Sequence, residues 1–144
     1  MNKKQVPVVA HLFTWSDDGA NLIGSKCLSC GNYYFPKTLT CKNPICKEKK
    51  VEDVLLSRRG KLYSYTIQEY PPPPPFKMEP VAPYAIGLVA LPEKIRVMGM
   101  LTGTKFEDIK IGMDVEIIIE KLYEKQNGEE VVTYKFKPIG QGSL

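Results

Sequence analysis

Apolar and polar residues alternate in short blocks along most of this chain, with few stretches at helical spacing. Leu62-Tyr63-Ser64-Tyr65-Thr66-Ile67 is rich in β-formers and reads as a strand. Tyr84 to Leu91 is nearly continuous in apolar residues and predicts a central strand. In Ile95 to Leu101, Ile95, Val97, Gly99 and Leu101 alternate with Arg96, Met98 and Met100, and the short link Pro92-Glu93-Lys94 makes a hairpin with the strand before. Val115 to Glu120 and Val131 to Phe136 supply two more strands, joined across Asn127-Gly128, a pair that suits a type I′ turn. Between the third and fourth strands, Thr102 to Gly112 reads as a connector with one helical turn at Phe106, Ile109 and Ile111. Five strands with an irregular link in that position suit a small OB-type barrel.

The first third of the chain follows another pattern. Residues 1–24 read as a loose arm, in which Val6, Val8 and Val9 could add an edge strand against a partner, followed by a short helix opening at Ser16-Asp17-Asp18. Residues 25–54 hold the only four cysteines, as Cys27-Leu28-Ser29-Cys30 and Cys41-Lys42-Asn43-Pro44-Ile45-Cys46. Two close pairs within twenty residues are spaced for two knuckles holding one tetrahedral zinc ion through Cys27, Cys30, Cys41 and Cys46. Two disulfides, or a redox pair, are the competing readings; the latter leaves Cys41 and Cys46 unexplained. A two-knuckle ribbon has almost no apolar core, so zinc would supply most of its folding free energy, on the order of 10 kcal/mol. Lys47 to Asp53 reads as a charged link, residues 55–138 as the barrel and 139–144 as a tail. Tyr70 and Phe76 flank five prolines, Pro71 to Pro75, which read as a stiff surface loop.

Charge adds a direction. Residues 1–61 carry eleven Lys or Arg against five Asp or Glu, a balance of +6, whereas residues 62–144 carry nine against eleven, a balance of −2. A basic ribbon points to an anionic partner, either a phosphate-bearing ligand or nucleic acid. No apolar run is long enough to span a bilayer, and no export signal is evident, so the expected location is the cytoplasm.

The order Gly24-Ser25-Lys26-Cys27-Leu28-Ser29-Cys30-Gly31, Phe35-Pro36-Lys37, Arg59-Gly60-Lys61-Leu62-Tyr63-Ser64-Tyr65-Thr66, Pro83-Tyr84-Ala85-Ile86-Gly87-Leu88-Val89 and Ile111-Gly112-Met113-Asp114-Val115 resembles a known family. These are the small zinc-ribbon plus OB-fold proteins that accompany thiolase-like enzymes, long described as a domain of unknown function. The resemblance covers roughly residues 15–138. It implies a mainly β chain, with an N-terminal rubredoxin-like zinc ribbon followed by a five-stranded OB-fold barrel. It implies an accessory subunit of a thiolase-type acyl-CoA complex, a hetero-oligomer such as a heterotetramer. The partner would carry the reactive groups, and the small protein would bind CoA or acyl-CoA without independent activity. Related members resemble subunits of sterol side-chain aldolases, archaeal acetoacetyl-CoA thiolase complexes and benzoylsuccinyl-CoA thiolase in anaerobic aromatic degradation. The four-residue second knuckle departs from the two residues common in the family and makes Cys46 the loosest ligand.

The chemistry of the chain agrees with a non-catalytic role. If all four cysteines bind zinc, no thiol is left as nucleophile, and the one histidine, His11, lies in the arm. CoA would want cations for its phosphates and an aromatic platform, so Lys37, Arg58, Arg59 and Lys61, with Phe35 and Phe76, are the expected contacts at the ribbon–barrel junction. Tyr34 and Tyr65 are further aromatic candidates, with core packing the stronger expectation for Tyr65. The methionine-bearing Val97 to Leu101 is a candidate partner surface. The alternative class is a zinc-ribbon/OB nucleic-acid binder. The second and third barrel strands offer one Tyr and one Arg and no stacking stripe, which weighs against it.

Overall fold

The computed structural model describes residues 4–48, 50–70 and 82–139. The polyproline run and Phe76 lie outside the described residues. Among the described residues, ten strands make up most of the structure, and one turn of 3-10 helix, Phe106–Asp108, lies within the connector expected to hold a helical turn.

The ribbon is built on one long strand. β2 (Phe13–Ser16) and β3 (Gly19–Cys27) form a hairpin, and β3 also pairs with β4 (Tyr33–Tyr34) and β5 (Val51–Leu55). The short helix expected near Ser16 is therefore a correction: Ser16 pairs with Gly19 across a turn made by Asp17 and Asp18. The short polar side chains that cap helices also make tight turns, and Gly19 takes the φ of +138° that closes this one. The charged link is corrected too. Val51 to Leu55 runs antiparallel to β3, placing Asp53 opposite Ser25 and Val51 opposite Cys27.

The barrel closes with the connectivity of an OB-fold. β6 (Arg59–Gln68), β7 (Tyr84–Ala90), β8 (Arg96–Leu101), β9 (Asp114–Glu124) and β10 (Glu130–Pro138) pair in the order β6-β7-β8-β10-β9, and β9 returns to β6. The β8–β10 contact is the parallel one, with Phe136 beside Leu101. The arm strand β1 (Gln5–Pro7) pairs in parallel with this chain's own β10, where an intermolecular edge was one expectation. The β9–β10 turn differs from a type I′ turn: of its central pair only Gly128 has positive φ, at 92°, and Lys125 and Glu129 close a longer loop.

β8 alternates as its pattern predicts, with Val97, Gly99 and Leu101 buried and Arg96 and Met98 exposed. Leu62, Val89, Val97, Val115, Val132 and Phe136 fill the core with almost no exposure, and Phe13, Leu22 and Leu56 from the ribbon side join the same cluster. Tyr134 binds the two together, its ring meeting Phe13, Phe35 and Phe136 edge-on or tilted at 5.8–6.1 Å. The knuckles form a separate cluster, with Cys27, Cys41 and Cys46 buried beside Tyr34 and Val51.

Candidate functional site

The knuckles are brought together by β3, which ends at Cys27, and by β5, which returns alongside it. Gly31 supplies the tight reversal, with φ +80° and its N–H donating to the Cys27 carbonyl at 2.9 Å. The wider second loop is closed by Asn43, whose side-chain oxygen accepts from Ile45 N and whose carbonyl accepts from Cys46 N, both at 3.1 Å. All four sulfurs consequently lie within 4.8 Å of one another, Cys46 included. Cys27 and Cys46 sulfurs are 3.6 Å apart and Cys30 and Cys41 sulfurs 3.5 Å, with no disulfide. Thiolates around a tetrahedral zinc ion would stand about 3.8 Å apart, so the donor set fits a metal of that kind.

The local fields differ from one sulfur to the next. The backbone amides of Cys30 and Ser29 hold the Cys27 thiol down at about 6, against desolvation. The Asn32 amide favours the Cys30 thiolate, but desolvation and the Cys41 and Cys27 sulfurs outweigh it and push that thiol up to about 11. The Tyr34 hydroxyl lowers Cys41, and the same contact raises Tyr34. Clustered thiols that share protons in this way are a site at which a metal cation displaces them.

Among the described residues, the expected CoA contacts are spread over more than one place. Lys37 pairs with Asp53 at 3.0 Å on the ribbon. Arg58 is taken up inside the fold: Nη1 donates to the Asp18 carbonyl at 2.7 Å and Nε to Asn21 Oδ1 at 3.0 Å. Arg59 and Lys61 stand together on one face of β6, each paired across the strand, to Glu116 at 3.2 Å and Asp114 at 2.9 Å, and both are largely exposed. Phe35 packs edge-on against Tyr134 and borders a groove. His11 is exposed in the arm. Tyr65, expected in the core, is 37% exposed, and Tyr63, at the register shift between Leu62 and Ser64, 49%.

That groove carries Phe35 and the outward residues of the candidate partner surface, Met98 and Met100. It encloses about 530 Å³ on the outer face of β7 and β8, floored by Ile86, Leu88, Met98 and Met100 and walled by Phe35 and Pro36. At its rim, the Arg96 guanidinium lies 3.8 Å from the centre of the Tyr63 ring. The available signal was the outward half of the β8 alternation: Met98, 61% exposed, and Met100 face away from the core. A second, more polar cleft of about 610 Å³ separates the first knuckle from the β7–β8 turn, and there Glu93 holds the amide and hydroxyl of Ser57.

Comparison with known proteins places this architecture. The profile of the ChsH2 C-terminal OB-fold domain matches residues 53–120. A DUF35 domain-containing scaffold protein of Methanocaldococcus jannaschii is 39% identical over 122 residues, covering 82% of each chain. The benzoylsuccinyl-CoA thiolase subunit BbsA of Thauera aromatica is 33% identical over 118 residues, covering 82% of this chain and 76% of its own. Among solved structures, the Ltp2-ChsH2(DUF35) aldolase matches with a TM-score of 0.62 and 28% identity, over 82% of this chain and 84% of that one.

Proposed function

This chain belongs to the DUF35 family, and on that premise we propose that it is an accessory subunit of a thiolase-type acyl-CoA enzyme, stapled by a structural zinc ion and docked on a catalytic partner. The observation that carries this reading is the convergence of all four cysteines on one point. A thiolase needs a free thiol and a neighbouring base. Here no cysteine stands apart, and the one histidine is in the arm, so the nucleophile comes from the partner. Relatives named as thiolase subunits support the same division of labour.

Cys27, Cys30, Cys41 and Cys46 hold the zinc. Bound by four thiolates, it cross-links the knuckles and has no open position for substrate or water. The apolar groove on β7 and β8 receives the partner subunit, with Met98 and Met100 adapting to its surface. Arg59 and Lys61 are the cations left to meet CoA phosphates, since their carboxylate pairs are exposed and exchangeable. Lys37, with Phe35 at the groove wall, flanks them more remotely, while Arg58 serves the fold.

The test is reconstitution with the thiolase-like subunit of the same host. Co-elution of the two chains, with acyl-CoA cleavage that requires both, is expected. A thiolase subunit that is fully active alone and ignores this chain would sink the reading. The exposed Tyr63 and Tyr65, with Arg96 stacked on Tyr63, are what a nucleic-acid binder would use, and a salt-dependent gel shift at physiological ionic strength would favour that class instead.

A further inference from the structure

The two cysteine loops are not equivalent. In the first, the sulfur of Cys27 faces the backbone N–H groups two and three residues on, those of Ser29 and Cys30. In the second, Cys41 again faces the N–H two residues on, that of Asn43. The third residue on is Pro44, which has no N–H to give. A side chain from another strand reaches the same sulfur. Tyr34 Oη lies 3.2 Å from Cys41 Sγ and accepts a hydrogen bond from Lys42 N at 3.0 Å. A metal-bound thiolate carries no proton, so between these two groups the hydroxyl is the donor. The Tyr34 backbone is fixed by pairing with Ser25 on β3, and its ring packs on the cysteine cluster.

We propose that Tyr34 is a positioning residue for the metal centre, its hydroxyl supplying Cys41 with the hydrogen bond that Pro44 cannot. The proposal rests on the zinc reading above. Four thiolates around one divalent cation leave a net charge of −2, and each hydrogen bond to sulfur offsets part of it. The bond from Lys42 N does a second job. It holds the start of the four-residue loop, while Asn43 closes the far end at Cys46, so the wide knuckle is pinned at both sides.

The experiment uses the full chain and zinc in competition with a chromophoric chelator. Tyr34→Phe keeps the ring and removes the hydroxyl, and should weaken zinc binding roughly 10–100-fold, the range of outer-shell losses. Adding Pro44→Ala to Tyr34→Phe restores an N–H at the vacant place and should recover most of that loss. Circular dichroism at saturating zinc checks that each variant folds. Cobalt in place of zinc gives an independent readout, because losing a hydrogen bond to one sulfur shifts the thiolate-to-metal charge-transfer bands. Wild-type affinity and unshifted bands in Tyr34→Phe would overturn the proposal. So would an affinity loss that Pro44→Ala leaves untouched, since the hydroxyl would then not be replacing the amide. If the wild-type chain itself takes up no zinc, the metal reading falls and this proposal with it, whereas equal uptake by wild type and variant overturns this proposal alone.

Discussion

Arg58 separates two roles that sequence reasoning assigned to one place. Sequence pairs it with Arg59 as a phosphate grip; the structure gives it a different task. Its guanidinium spends two donors inside the chain, on the Asp18 carbonyl at 2.7 Å and Asn21 Oδ1 at 3.0 Å, and Asn21 in turn donates to the Leu56 carbonyl at 2.9 Å. Asp18 Oδ2, at 3.8 Å and mostly exposed, adds little. Arg58→Ala therefore removes two hydrogen bonds to a charged group, each contributing about 1.5–3 kcal/mol when well sheltered. The side chain is 39% exposed, so water replaces part of that. A net loss of about 2 kcal/mol remains, which for a chain of this length lowers Tm by roughly 4–8 °C. Urea unfolding and thermal melts, both with zinc saturating, measure it. CoA affinity of the assembled complex, titrated in parallel, should stay within about twofold of wild type. A tenfold loss of CoA affinity with unchanged Tm would refute the reasoning and return Arg58 to the ligand.

The complementary pair, Arg59→Ala with Lys61→Ala, should lower CoA affinity about tenfold or more, with stability nearly unchanged because both ion pairs are exposed; calorimetric titration of the complex reads it. Met98→Asp puts a charge on the groove floor and should weaken partner association at least tenfold in size-exclusion or surface-binding assays, while the monomer melts as before. Gly99→Ala would set a Cβ 2.8–2.9 Å from ring carbons of Phe136 and Tyr134 and should cost about 1–3 kcal/mol in chemical denaturation. Burial pushes the Tyr134 hydroxyl up to about 12, above the usual tyrosine range, so the folded state holds this proton more tightly than the unfolded chain. That stability is fully present below about pH 10 and is lost as pH rises through about 12. Tyr134→Phe should flatten this alkaline decline, at a cost of about 1 kcal/mol at neutral pH for the lost bond to the Met98 carbonyl.

The convergence of the four cysteines was legible because its information is local: two cysteine pairs, each closed by its own turn residue, Gly31 and Asn43. The barrel was legible because period-two alternation in β8 and the apolar run of β7 specify which side faces in. Three features were not. Ser16-Asp17-Asp18-Gly19 satisfies a helix cap and a hairpin turn equally well, and only the pairing of β2 with β3 decides. The Lys47–Asp53 stretch looked like solvated charge because β5 shows its partner only when β3 is in place. The ion pairs of the cations were hidden for a related reason. Nothing local distinguishes a free arginine from a paired one when its partner lies 37 to 57 residues away in the chain.

Tyr134 sits where the barrel meets the hairpin, and Phe13, Phe35 and Phe136 lean on its ring. The division near residue 55 is therefore a division of topology and not of packing. A barrel excised at that point would present to water the hole that Phe13 and Leu22 now fill. The two halves are for this reason poor spare parts. Anyone grafting the barrel onto another enzyme, or exchanging ribbons between relatives, would have to carry the hairpin across with the strands that receive it.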